Sequence, residues 1–189
     1  MKQNLFIGFW PIIIITHVLA QTSETYRIKS DSQAIKGSSI KKVTCEAHYS
    51  VSPETVWNLL NKMNEFPSYI PRVSAVESMG VSEQKEKLFI MMDAPWPLSD
   101  IWNILSLHKD PVGKRINWDL VDGNMKKNSG TFTVDAEGTG SVVRMDVSVE
   151  LSGVKLPQWL IAWGAKKFLP KILVAIGKKL ESNSSPTGK

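Results

Sequence analysis

Residues 141–151 read SVVRMDVSVEL, and their alternation is strict: Val143, Met145, Val147 and Val149 fall on one side of an extended chain, Arg144, Asp146, Ser148 and Glu150 on the other. Successive side chains of a β-strand point to opposite faces, so this stretch is a strand with one dry and one wet face, as expected of an antiparallel sheet covering a single core. The period then changes. From about Leu156 to Glu181 the apolar residues recur at helical spacing, giving a helix on the order of 39 Å long. Pro170 lies inside it and takes away the partner of the Lys166 carbonyl, which predicts a kink or break. Before that point the helix is apolar on two sides, with Leu156, Trp159, Leu160 and Trp163 on one stripe and Ile161, Ala165 and Phe168 on the other. Only one stripe can lie on the sheet, and its bulk assigns the Trp159/Trp163 stripe inward.

Upstream, further β-type runs cover Val73 to Met79, Lys85 to Met92, Ile101 to His108, Arg115 to Val121 and Ser129 to Ala136, separated by turn residues such as Asp110-Pro111-Val112-Gly113 and Gly138-Thr139-Gly140. Gaps this short join antiparallel neighbours and cannot hold parallel crossovers. A first strand from about Ile40 to Val51 places Val43, Cys45, Ala47 and Tyr49 on one face. Ser52 follows as an N-cap and Pro53 as a first helical residue, ahead of Val56, Leu59, Leu60 and Met63 at helical spacing. The expected fold is α+β, with a seven-stranded antiparallel sheet and a long C-terminal helix.

The chain has 189 residues, a formal charge of +5, 42% apolar and 22% charged residues, a composition that excludes disorder and collagen and suits one domain with appendages. Its pI near 9.3 comes without any Lys/Arg block longer than two residues, so a dedicated nucleic-acid binder is not expected. Lys2, the apolar run Leu5 to Ile15 and Val18-Leu19-Ala20 read as a secretory signal peptide over residues 1–20, with cleavage before Gln21 and a secreted or periplasmic destination. An uncleaved anchor is the rival, but Pro11 interrupts the run, which is shorter than the roughly 20 residues of a spanning helix. Residues 21–39 and 182–189 are polar without sustained periodicity and are read as a flexible lead-in and a disordered tail around a domain at 40–181. Cys45 is the single cysteine, so no disulfide framework exists within the chain and the thiol is read as a small buried hydrophobe.

Catalytic signatures are absent from the pattern. His48 and His108 lack zinc-site spacing, there is no Walker A loop or nucleophile elbow, and Gly138-Thr139-Gly140 lies between strands with no helix start behind it. Trp57, Trp96, Trp102, Trp118, Trp159 and Trp163, with Met91, Met92 and Met145, instead offer rigid aromatic and adaptable thioether surface, the lining of an apolar ligand cavity.

Three segments carry a resemblance. Ser52-Pro53-Glu54-Thr55-Val56-Trp57-Asn58-Leu59-Leu60 followed by Phe66-Pro67-Ser68-Tyr69-Ile70-Pro71, then Ala94-Pro95-Trp96-Pro97-Leu98-Ser99-Asp100, then Gly153 to Pro170, resemble in order the START-like (SRPBCC) superfamily, which includes polyketide cyclase/dehydrase and coenzyme Q-binding proteins. Ile101 stands where many START sequences have an arginine, so a polar anchor of some relatives is missing here. The resemblance implies the helix-grip fold, a curved sheet around the C-terminal helix with an apolar cavity between them, and roles in binding or moving lipids, quinones and similar molecules, or in aromatase/cyclase chemistry. It implies no cofactor.

The leading expectation is an exported, monomeric, non-catalytic protein that binds or transfers a lipid, quinone or similar apolar small molecule, with transient membrane contact and no nucleic-acid partner. Strand parity places Trp118, Phe132, Met145 and Val147 on the cavity wall, faced by Trp159 and Trp163 from the helix, with Trp96 on the entrance loop. The fourth strand is ambiguous, since Trp102/Ile104 and Ile101/Leu105 are both apolar. A cyclase-type enzyme, which needs polar groups inside the cavity, and an interaction module with a filled cavity are the alternatives.

Overall fold

A computed structural model describes residues 28–34, 40–82, 85–94, 100–151 and 157–184. The expected signal segment 1–20 and Trp96 lie outside these residues. Strands β1 (Ile28–Ala34) and β2 (Lys41–Tyr49) precede helix α1 (Pro53–Leu60) and a 3-10 turn (Met63–Ser68). Strands β3 (Val73–Ser82), β4 (Lys85–Met92), β5 (Ile101–Asp110), β6 (Arg115–Gly123), β7 (Met125–Glu137) and β8 (Gly140–Leu151) then lead to helix α2 (Gln158–Ser184).

The strands form one antiparallel sheet in the order β1-β2-β8-β7-β6-β5-β4-β3. From β3 to β8 each strand pairs with the next, as their short turns require, and β2 joins the last of them with Cys45 opposite Met145. Helix α2 returns across the sheet and packs on β1, β2 and β8. The Tyr49 hydroxyl fastens this contact by donating to the Leu173 carbonyl at 2.7 Å.

The sheet therefore has eight strands, not seven. The additional member, β1, falls in the stretch read as a flexible lead-in. Its sequence, IKSDSQA, holds little apolar surface, because an edge strand needs only one side partly covered: Ile28, Ser30 and Ser32 are half-buried while Lys29, Asp31 and Gln33 are exposed. What holds it is the backbone ladder to β2, running from Ile28 opposite Ala47 to Ala34 opposite Lys41. At the other end α2 continues to Ser184, three residues into the expected tail. Pro170 does not break it, and α2 stays helical from one end to the other.

Helix α1 starts where the sequence places it. Ser52 is extended (φ −62°, ψ 152°), its Oγ accepts from the Thr55 N–H at 3.3 Å, and Pro53 opens the first turn. Ser52→Ala is expected to cost about 1 kcal/mol in urea melts and Pro53→Ala close to nothing, since the missing N–H has no partner in a first turn. Equal effects would place the helix start elsewhere.

The outer face of β2 and β8 is a charged ladder. Lys42 pairs with Asp146 at 3.0 Å, Thr44 Oγ1 donates to Asp146 at 2.6 Å, and Arg144 donates to Glu46 at 2.7 Å. The Arg144 guanidinium holds the Glu46 carboxyl below its ordinary pKa. A depressed carboxyl contributes stability that is present above the unfolded value and lost as pH falls through the folded one. Arg144 is more than half exposed and the pair is screened, so Arg144→Ala is expected to cost about 0.5 kcal/mol at pH 7. The difference from wild type should shrink as the pH falls below the ordinary carboxyl range and through the folded value of Glu46; a difference that persists once the carboxyls are protonated would contradict the pairing.

Candidate ligand-binding cavity

Between the inner face of the sheet and the N-terminal half of α2 lies a cavity of about 540 Å³, within the usual range for small-molecule sites. Parity builds its sheet wall. On β8, Met145, Val147, Val149 and Leu151 alternate into it, from β7 come Met125 and Phe132, and from β6 Trp118. The two aromatic rings meet at 5.4 Å between centroids, tilted by 44°, and the indole N–H of Trp118 donates to Asn128 Oδ1 at 3.1 Å. This bond satisfies the one polar atom that a buried tryptophan brings with it.

Strand β5 contributes Ile101, Leu105 and Leu107, which resolves the ambiguity in its sequence. The odd-numbered set is inward although it includes Asn103, a fully buried amide whose Nδ2 reaches Met125 Sδ at 3.5 Å. Leu88, Ile90 and Met92 of β4 close that side, and Met63, Phe66 and Ile70 around the 3-10 turn close the end. Of these positions the sequence pattern singles out only Met92, as thioether lining, and the residues around Phe66 stand in one of the segments that carry the family resemblance.

Helix α2 is rotated differently from expectation. Ile161, Ala165 and Phe168, the stripe assigned outward, line the cavity. Trp159 is 61% exposed and is not part of the wall, and Trp163, 57% exposed, reaches only the rim. The rotation of one continuous helix is decided along its whole length, not by its bulkiest residues. Continued toward the C-terminus, the face bearing Ala162 and Leu169 runs into Ile172, Leu173, Ile176 and Leu180, all buried, whereas the tryptophan stripe runs into Lys166, Lys167 and Lys171, all exposed.

Of the other sequence-assigned positions, Trp118, Phe132, Met145 and Val147 are buried wall residues, and Trp96 is outside the described residues. Cys45 is fully buried beneath the sheet, and burial pushes its thiol up to about 11, so it is unreactive at neutral pH. His48 is on the opposite face, paired with Glu46 and Glu137. Among the described residues no three His, Cys, Asp or Glu side chains form a metal-binding group, and no helix is long and apolar enough to cross a membrane. Among the same residues the charged members of the wall are Arg72, Asp93, Lys167 and Lys171, each exposed. The lining thus offers dispersion and apolar burial, its one amide, Asn128, being occupied by Trp118, while the inward Asn103 is not part of the lining and keeps its Oδ1 without a partner among the described residues.

Residues 41–181 match the family described as polyketide cyclase/dehydrase and lipid transport. Among solved structures, a STAR-related lipid transfer protein from Xanthomonas axonopodis is 19% identical with a TM-score of 0.68, covering 86% of this chain and 97% of its own. A START superfamily protein from Mycobacterium smegmatis is 16% identical with a TM-score of 0.67, covering 76% and 99%. The Zhui aromatase/cyclase from Streptomyces sp. R1128 is 12% identical with a TM-score of 0.63, covering 86% and 99%. At these identities the likeness is one of fold. No curated protein matches the sequence. With a family match over most of its length, this chain belongs to the polyketide cyclase/dehydrase and lipid transport family, and it shares with the START structures above a helix-grip fold around an apolar cavity.

Proposed function

We propose that the protein is a non-catalytic carrier, exported by its N-terminal signal segment and monomeric, which holds a lipid, quinone or similar apolar molecule between sheet and α2. The observation that carries this reading is the cavity itself: about 540 Å³ walled by side chains such as Trp118, Phe132, Met145 and Phe168. A reaction of the cyclase type needs groups that position a proton transfer, and the buried wall residues named above supply none. A lipid transfer protein and an aromatase/cyclase both occur among the structural relatives, so fold alone favours neither.

Transient contact with an anionic membrane surface is part of the proposal. Trp159 and Trp163 stand exposed beside the cavity, with Lys166 and Lys167 next to them. Indoles at headgroup depth, flanked by lysines drawn to anionic lipid, suit reversible docking.

Native mass spectrometry of the protein purified from its exported fraction tests the carrier reading. The expected spectrum shows the mature chain from Gln21 with an added mass that organic solvent removes. A chain that arrives empty and takes up no apolar compound would favour an interaction module, and turnover of a carbonyl-rich aromatic precursor would favour a cyclase.

A further inference from the structure

The charge at the cavity mouth is unbalanced. Arg72, Lys167 and Lys171 line it against a single carboxylate, Asp93. Elsewhere on the surface Lys42, Lys109, Lys114, Lys126 and Arg144 each meet an acidic partner. Among the described residues no ion pair neutralises the three cations of the mouth.

Their placement is specific. Trp163, Lys167 and Lys171 recur every four residues and so follow one edge of α2, with the Lys167 ammonium 6.0 Å from the centre of the Trp163 ring. Arg72 enters from the sheet side, just before β3, with a left-handed backbone (φ 64°) that is strained for a side chain of this kind. The Asp93 N–H donates to the Arg72 carbonyl at 2.8 Å, and Arg72 Nη1 donates to the Asp93 carbonyl at 3.3 Å. The first bond fixes the two backbones together, and the second holds the guanidinium at the mouth and leaves most of its five donors unspent.

Resting on the carrier reading above, we infer that the occupant is an amphiphile with an anionic head, its carboxylate or phosphate held by Arg72, Lys167 and Lys171 and its apolar part lying along Trp118 and Phe132.

The test uses one chain length with different heads. Dodecanoate, dodecyl phosphate, dodecan-1-ol and dodecyltrimethylammonium, each below its micelle concentration, are titrated into the wild type and into Arg72→Gln/Lys167→Gln/Lys171→Gln, with tryptophan fluorescence as readout. In the wild type at low salt at least one anionic probe should bind about tenfold more tightly than the alcohol. The triple variant should lose that advantage, with a circular dichroism spectrum and urea midpoint like the wild type's showing that it is folded. The better of the carboxylate and the phosphate identifies the head. Equal affinity for all four probes, or preference for the cation, overturns the anionic head and leaves the apolar carrier standing. An anionic preference that survives in the triple variant also overturns the assignment. Failure of every probe to bind the wild type overturns the carrier reading together with this one.

Discussion

Trp118→Ala is expected to be the most damaging single truncation in the cavity wall, lowering stability by about 3–5 kcal/mol and abolishing tight binding of apolar probes in whatever fraction remains folded. The indole is almost wholly buried, tilted against Phe132 and tied through its N–H to Asn128. Removing it deletes the largest rigid surface of the wall and leaves Asn128 Oδ1 without its donor. Trp118→Phe is milder, since it keeps most of the apolar surface and loses the hydrogen bond to Asn128 together with part of the ring, at about 1–2 kcal/mol. Chemical denaturation measures the stability, and probe fluorescence on samples shown to be folded measures the binding. A Trp118→Ala protein that binds as wild type would remove this residue from the site.

Gly130→Ala is expected to cost about 3 kcal/mol, at the upper end for overpacking. Gly130 sits on β7 opposite both Trp118 of β6 and Val147 of β8. A Cβ there would overlap the Trp118 ring and the carbonyl oxygen of Asp146. A flexible side chain could step aside, but the carbonyl belongs to the β8 backbone and the ring is already held by Phe132 and Asn128. The glycine is therefore the slot in which the indole lies flat on the sheet, and filling it drives the ring into the cavity. A loss below about 1 kcal/mol in urea melts would show that the ring has room to move.

Much of this architecture is legible in the pattern of residues, and the places where the pattern misleads have physical causes. Strand β8 is transparent because one face meets the core and the other meets water, so Val143, Met145 and Val147 alternate with polar neighbours. The α1 start is legible because Ser52 and Pro53 have a single good use in that order. Strand β5 is opaque because its buried set contains the polar Asn103 while its outer set contains Trp102 and Ile104, which cancels the contrast that parity needs. Strand β1 is invisible because an edge strand is held by its ladder to β2 and needs little apolar pattern. Helix α2 misleads because Trp159 and Trp163 outweigh their neighbours in bulk, whereas the informative signal is carried by the helix C-terminal to them: lysines continue the tryptophan stripe, and Leu169, Ile172 and Ile176 continue the other. Apart from Met92, the wall residues of β4 and of the 3-10 turn carry no chemical mark that separates cavity from core. Only their placement around the void does so.

A crystal structure with dodecanoic acid brominated at its terminal carbon tests the central claim most directly, because bromine can be located by its anomalous scattering independently of any assumption about the ligand. The account predicts a single bromine inside the void, in contact with Trp118 or Phe132 at about 4 Å. A bromine bound only on the outer surface beside Trp159, with the space between sheet and α2 closed by side chains, would contradict it.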